Sequence, residues 1–238
     1  MEKLELAINR KGIQITGEVL EKLRIYGKLI EEENNLRNLS SHKSWDGIRD
    51  NLFIRSFSIF NVLNNFKLKN LNIIDVGTGA GIPGLLIKIL KSDTNVFLLD
   101  SNKKKVDFIN KVISTLGLLD VQTILSRAEK EGHNPIYRES FDCVVSRGLA
   151  KLPQLAELTL PFCKLQGLVI CLKGNDIERE LKASQFASNI LGSEKVEVFP
   201  VIYEESQLPD KVVVWEKTKP TPIKFPRRIG IPKKDPLI

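Results

Sequence analysis

Asn72-Ile73-Ile74-Asp75-Val76-Gly77-Thr78-Gly79-Ala80-Gly81-Ile82-Pro83-Gly84 reads as a short buried strand, a glycine turn and a helix that starts at or near Pro83. An apolar run that ends in an acid and breaks into alternating glycines marks a close approach of backbone to ligand. Glycine has no Cβ to block that approach and tolerates positive φ in the turn. Proline suits the first helical position, where its missing N–H would have no partner. A helix start of this kind directs N–H groups and the positive dipole end above the turn. The stretch therefore predicts a ligand with an anionic group.

Downstream, strand-like runs recur at 96–99, 121–125, 141–145, 168–172, 196–201 and 212–215. Helical patterns separate them at 84–91, 103–116, 152–161 and 177–190. Continuous apolar strands alternating with amphipathic helices predict a parallel sheet covered on both faces. The loop at 203–210 is too short for a helix of normal length, so the last two strands should pair antiparallel at one edge. The fold class is α/β: a seven-stranded doubly wound sheet with a reversed last strand, preceded by helices.

Upstream, residues 1–66 read as a helical extension. Thr16 is the expected N-cap of a helix running to about residue 33, with Val19, Leu20, Leu23, Leu29 and Ile30 as its apolar positions. Ser44 or Asp46 should cap a second helix carrying Ile48, Leu52, Phe53, Phe57, Phe60 and Leu63 at helical spacing. Residues 67–217 form the sheet domain and residues 218–238 a basic, proline-rich tail.

The chain's net charge of +7 is unevenly placed. Lys217, Lys219, Lys224, Arg227, Arg228, Lys233 and Lys234 lie in one acid-free run, and without them 29 basic residues face 29 acidic ones. Such a run is either a solvated terminus or a polyanion-binding arm. Pro220, Pro222, Pro226 and Pro232 should keep it extended. An arm of that kind could be deleted without touching the sheet's own ligand site. Cys143, Cys163 and Cys171 each sit in apolar sequence without C-x-x-C spacing, which predicts reduced core residues of a cytoplasmic protein. His42 and His133 lack partners at ligand spacing, so no metal is expected. No apolar run reaches the roughly 18 residues that span a bilayer, and no membrane association is expected.

Three ligand classes compete for the glycine turn. A nucleoside triphosphate is excluded, because Leu85-Leu86 occupy the places of the Lys and Ser/Thr that hold phosphate and magnesium. A dinucleotide is harder to exclude, since residues 79–84 match G-x-G-x-x-G. Two carboxylates decide. Asp75, before the glycines, would meet an ammonium group and repel a pyrophosphate. Asp100, ending the second strand, is placed to bond ribose hydroxyls. A ligand with an amino-acid end and a nucleoside end fits both, and S-adenosylmethionine is such a ligand.

At that point the chain resembles the bacterial small-subunit rRNA guanine-N7 methyltransferases, also called the glucose-inhibited division protein B family. The resemblance rests on residues 75–84, Leu99-Asp100-Ser101, Ser126-Arg127-Ala128-Glu129, Phe141-Asp142, Ser146-Arg147, Leu172-Lys173-Gly174 and the Pro226-Arg227-Arg228 ending. It runs in order from about residue 38 to the C-terminus. It implies a class I methyltransferase sheet, S-adenosylmethionine as cofactor, and 16S rRNA in the small ribosomal subunit as substrate. The target it implies is N7 of one guanosine in the stem-loop near the decoding site. By the same resemblance, Gly77 and Ile82 border the cofactor's methionyl end and Asp100 its ribose, and Asp75 and Gly79 belong to the same cofactor-binding set. Ala128 and Glu129 lie against its adenine, and Arg147 stands between cofactor and base. Arg147 and Lys173 are expected to position the base or its phosphate, and Arg227 and Arg228 to hold RNA phosphates. Where many members carry Arg-His…Asp-Ser, this chain has Arg55-Ser56-Phe57-Ser58-Ile59-Phe60, and Gly148 replaces an alanine.

Guanine N7 has a free in-plane lone pair, so no general base is required and catalysis is mostly alignment. The base should be looped or flipped out, since N7 faces the deep, narrow major groove of paired RNA. The alternatives are a nicotinamide-dependent reductase using the same glycines, and a non-enzymatic RNA-binding protein on a relic fold. A monomer is expected.

Overall fold

Seven strands hydrogen-bond in the order β3-β2-β1-β4-β5-β7-β6. They are β1 (Asn72–Val76), β2 (Asn95–Asp100), β3 (Val121–Leu125), β4 (Phe141–Arg147), β5 (Cys163–Lys173), β6 (Lys195–Val201) and β7 (Asp210–Glu216). The computed structural model describes residues 1–37, 39–64, 70–174, 177–201 and 210–238. The boundary read at 66/67, position 38 and all but the last residue of the connector at 203–210 lie outside them. β1 to β5 pair in parallel, and β7 runs antiparallel to both β5 and β6. The reversed strand is thus inserted beside β5, and β6 forms the edge.

Period-two alternation sends neighbouring residues to opposite faces. Ile73, Val96, Leu98, Cys143, Val145, Ile170 and Val212 point into one core, and Ile74, Leu99, Val144, Val169, Cys171, Val213 and Trp215 into the other. The second core is closed by α8 (Leu152–Thr159) and α9 (Glu178–Ile190). The first is closed by α5 (Gly84–Leu90), α6 (Lys103–Leu116) and the N-terminal helices. α6 shows how local sequence sets an element. Asn102 caps its start by accepting from Lys104 N at 3.0 Å, and Gly117 ends it in the left-handed conformation. Between them Val106, Ile109, Val112 and Leu116 recur on the buried face.

The N-terminal helices α1 (Glu2–Asn9) and α2 (Gly17–Leu36) share their core with the sheet. Gly27 of α2 lets Trp45 lie directly on the helix backbone, where a Cβ would come within 2.1 Å of the indole. The second helix expected from the sequence is not continuous. It divides into α3 (Trp45–Gly47), a π-helical segment at Ile48–Ile54, a 3₁₀ turn at Phe57–Ile59 and α4 (Phe60–Leu63). The carbonyls of Asn51 and Leu52, which a regular helix turns to the amides of residues 55 and 56, accept from Arg147, and Leu52 also accepts from Ser56 Oγ. The apolar spacing carried no sign of that competition.

The C-terminal run is not an extended arm. Residues 231–234 form a short helix, α10 (Ile231–Lys234), with Pro232 in its first turn, where proline is tolerated. Lys217 is fully buried, and its Nζ donates to Leu160 O at 3.0 Å, Leu191 O at 3.2 Å and Thr221 Oγ1, with Glu139 at 3.1 Å. Arg138 reaches the carbonyls of Thr221, Pro222 and Phe225, and Phe225 itself is buried in the second core. Among the described residues, the exposed Lys224, Arg228, Lys233 and Lys234 have no carboxylate partner, whereas Lys217, Lys219 and Arg227 do.

Candidate active site

Strand order reverses at β1/β4, and in open α/β sheets ligands bind outside the carboxyl ends of the strands at that switch point. The carboxyl ends of β1, β2, β4 and β5 bring Asp75, Asp100, Arg147 and Lys173 to this one edge. Ser146 Oγ donates to Val76 O at 2.8 Å and ties β4 to β1 just below it.

The glycine turn is braced rather than loose. Gly77, Gly79 and Gly81 have φ of +72°, +62° and +92°, a region that side chains rarely enter. Leu99 O accepts from the amides of Gly77 and Thr78 at 2.8 and 3.1 Å. Asp75 is fully buried, and its Oδ2 accepts from Thr78 Oγ1 at 2.6 Å and from Gly84 N at 2.9 Å. Burial pushes its carboxyl up to about 7; the Thr78 and Gly84 bonds and nearby Arg147 pull it down, while Asp100 adds to the rise. Asp100 Oδ2 accepts from Gly79 N at 3.0 Å and its Oδ1 from Asn102 N at 2.9 Å.

These bonds revise one expectation. The first amide of α5 does not wait for a ligand's carboxylate, because Asp75 supplies the anion from within the chain. Asp75 Oδ1, in contrast, is the one buried side-chain oxygen among the described residues that lacks a hydrogen-bond partner. A Cβ placed on Gly79 would meet nothing nearer than Gly77 O at 4.0 Å, so the turn is open on that side.

Ala128 and Glu129 lie on α7 (Ala128–Glu131), a turn of helix that the sequence pattern did not reveal. Glu129 Oε1 accepts from Gly230 N at 3.1 Å, so the C-terminal segment reaches the position expected to face adenine. Removing residues 218–238 would therefore remove a contact to that position. Ile82 is buried in the turn.

Arg147 is the last residue of β4, not one past it, and its guanidinium turns toward the N-terminal extension. It donates to Leu52 O at 2.7 Å, Ser56 Oγ at 2.7 Å and Asn51 O. Lys173 is held by Ala150 O at 3.0 Å and by Glu180 at 2.8 Å. Arg227 makes a bidentate pair with the fully buried Glu157, with bonds of 2.7 to 3.2 Å, and also reaches Asp235. Each of these cations already has an internal anion or carbonyl, whereas Arg228 is exposed. Lys130 and Arg228 have no ion-pair partner among the described residues. Together with Glu129, His133, Lys224 and Arg227 they line an open cleft of about 490 Å³ between α7 and the C-terminal segment.

Among the described residues no group of three His, Cys, Asp or Glu side chains could hold a metal ion, and no helix is long and apolar enough to cross a membrane. The three cysteines are free and buried, and burial pushes the Cys163 and Cys171 thiols up to about 12.

A family model described as rRNA small subunit methyltransferase G matches residues 19–208. The chain belongs to this family. Its relatives include the ribosomal RNA small subunit methyltransferases G of Acetivibrio thermocellus, 40% identical over 95% of this chain and 92% of the relative, and of Clostridium novyi, 36% identical over 99% and 96%. A putative S-adenosyl-L-methionine-dependent methyltransferase from Methanococcus maripaludis shares the fold with a TM-score of 0.55 at 19% identity, over 73% of this chain and 90% of its own. M. jannaschii TYW2, solved in complex with AdoMet, does so with a TM-score of 0.51 at 17% identity, over 68% and 74%. Membership makes the chain an S-adenosylmethionine-dependent methyltransferase, and the G-x-G-x-x-G match is no dinucleotide fingerprint here.

Contacts that brace the candidate site from the N-terminal side went unread in the sequence. Tyr26 Oη donates to Ala80 O at 2.6 Å, and Arg55 pairs bidentately with Asp210 at the start of β7. Both contacts join the N-terminal extension to the sheet's carboxyl edge. The only sign of them was the departure at Arg55-Ser56.

Proposed function

We propose that this chain methylates N7 of a guanosine in small-subunit rRNA, in the stem-loop near the decoding site. The observation that carries the reading is the match to methyltransferases of that rRNA along 95% of the chain, with the Asp75–Asp100 turn intact.

The residues fit the cofactor. An orphaned, buried Asp75 Oδ1 suits an ammonium group, the open side of Gly79 admits a ligand against the backbone, and Asp100 at the end of β2 suits a ribose diol. S-adenosylmethionine, when bound, supplies an electrophilic methyl group on a sulfonium. Gly77, Gly79 and Ile82 border its methionyl end, and Ala128 and Glu129 its adenine. The guanine N7 lone pair forms the new bond to carbon while the carbon–sulfur electron pair leaves with sulfur, so atoms and charge balance without a proton acceptor. What the chain supplies is orientation and a fixed field. Arg147, anchored by the extension, and Lys173, anchored by Glu180, border the mouth where the base enters. Their anchoring makes them walls of fixed position rather than mobile clamps.

The RNA backbone is held beside the site. Lys130, Lys224 and Arg228 in the cleft are the cations left for phosphate once Arg227 is committed to Glu157. Replacing all three with Gln should flatten the dependence of log affinity on log salt by roughly 2 to 3, since each phosphate contact contributes about 0.7 to 0.9. Filter binding across a salt series reads the slope, and an unchanged slope moves the RNA elsewhere. The chain works as a monomer in the cytoplasm.

Incubation with labelled S-adenosylmethionine and small subunits lacking the modification tests the activity. Label in the 16S rRNA is expected, and its absence overturns the enzyme reading in favour of a relic fold that binds RNA.

A further inference from the structure

The helical extension reaches the cofactor turn through a buried hydroxyl. Tyr26, on α2, is fully buried, and its hydroxyl donates to the carbonyl of Ala80 at 2.6 Å across 54 residues of sequence. Ala80 is itself 8% exposed, so without the phenol its carbonyl has little water to turn to. The neighbouring peptide is equally confined. Gly81 sits at φ +92°, and a Cβ there would come within 2.5 Å of Leu85 and 3.0 Å of the Tyr26 hydroxyl. Amides of the turn are tied to the sheet: Gly77 and Thr78 to Leu99, Gly79 to Asp100, Gly84 to Asp75. The Ala80 carbonyl is tied to the extension instead.

The same ring reaches Arg147 by packing. Tyr26 stacks on Phe53 with centroids 5.2 Å apart and planes 26° apart. Phe53 belongs to the π-helical segment whose Asn51 and Leu52 carbonyls, with Ser56 behind them, hold the Arg147 guanidinium. Cofactor turn, Tyr26, Phe53 and Arg147 thus form one contiguous chain of contacts from β1 to β4, routed through the extension.

We propose that Tyr26 is a positioning residue of the methyl-transfer site: its hydroxyl fixes the Ala80 carbonyl, and with it the shape of the turn that receives S-adenosylmethionine. The role rests on the reading of that turn as the cofactor site. It gives the extension a function within the reaction, because whatever shifts α2 or the π-helical segment shifts the turn and Arg147 together. Burial pushes the Tyr26 phenol well above its usual range, so it remains a donor at every pH at which the protein works.

Tyr26→Phe keeps the ring and its stack on Phe53 and removes only the hydroxyl. The expected result is a rise of about tenfold in both the Kd and the KM for S-adenosylmethionine, as follows when a buried acceptor loses its donor. At saturating cofactor, kcat and the KM for small subunits should stay within about twofold of wild type. A merely structural role would lower the melting temperature and the active fraction while leaving the cofactor KM in place, and that outcome overturns the proposal. So does a Tyr26→Phe variant that titrates with S-adenosylmethionine like wild type. A wild-type protein that itself fails to bind S-adenosylmethionine in the calorimeter overturns the cofactor reading and this role with it, whereas binding by wild type and variant alike overturns this role alone.

Discussion

Asp75→Ala is expected to weaken S-adenosylmethionine binding by at least about thirtyfold, and Asp75→Asn to remove a pH dependence that the wild-type protein shows. The alanine variant takes the acceptor from two buried donors, the Thr78 hydroxyl and the Gly84 amide, at about 1 to 3 kcal/mol each. It also removes the orphaned Oδ1 that we propose meets the ligand's ammonium. The pH dependence follows from a carboxyl that burial raises to about 7. A cationic ammonium favours the ionised carboxylate, so binding below pH 7 must release a proton. The Kd should therefore fall up to about tenfold per pH unit as pH rises toward 7, then level off. Stability of the free protein moves the other way. The folded carboxyl sits above its unfolded value of 3.8, so this group's contribution is fully present below about pH 4 and is lost as pH rises through 7. Asp75→Asn should thus melt higher than wild type at pH 8 while binding cofactor less tightly, an exchange of stability for function at one side chain. Calorimetric titrations between pH 5.5 and 8.5, paired with melting curves of the free proteins, check both signs. A wild-type Kd that is flat across that range removes Asp75 from the ligand's reach.

The largest effect on stability is expected at Lys217. Its ammonium is fully buried against two carbonyls, the Thr221 hydroxyl and Glu139, and burial lowers its pKa while Glu139 opposes that shift. Lys217→Met fills much of the volume but leaves the Leu160 and Leu191 carbonyls and the Glu139 carboxylate without their donor. Breaking a buried, paired charge in this way costs about 3 to 5 kcal/mol. For a chain of this length that is a fall in Tm of about 6 to 20 °C. Because Thr221 and Phe225 follow directly, the C-terminal segment should come loose first. Limited proteolysis should cut the variant near residue 220 before the sheet domain is degraded. Equal melting temperatures and equal cleavage patterns would return the segment to the solvated terminus that its charge suggests.

The architecture was legible where physics acts over short sequence distances. Ile73-Ile74 before Asp75, the glycines after it and Pro83 near the start of α5 fix a strand, a turn and a helix within 13 residues. Repetition of that unit gives the doubly wound sheet. Asp100 was legible for the same reason, as an acid closing the second strand. Contacts spanning long stretches of chain were not. Arg55 and Asp210 are 155 residues apart, Arg147 and Asn51 are 96, and Arg227 and Glu157 are 70. Composition treats Arg227 as a spare cation and Glu157 as a surface acid on α8. Only the tertiary fold makes them one buried pair. The break in the second N-terminal helix coincides with a contact of the same kind, since the Asn51 and Leu52 carbonyls accept from a strand residue far downstream. Tyr26 was hidden differently. An aromatic at helical spacing reads as core, which it is, and nothing local marks where its hydroxyl ends.

The reaction proposed for this chain is methyl transfer to N7 of one guanosine in small-subunit rRNA. Purified protein, labelled S-adenosylmethionine and undermodified small subunits should yield 16S rRNA labelled at a single base. Because 7-methylguanosine opens to strand scission after reduction and mild amine treatment, the rRNA should be cut at one position, in the stem-loop near the decoding site. Label that survives this treatment without scission would place the methyl group on an amino nitrogen, a ring carbon or a ribose, and would contradict the mechanism.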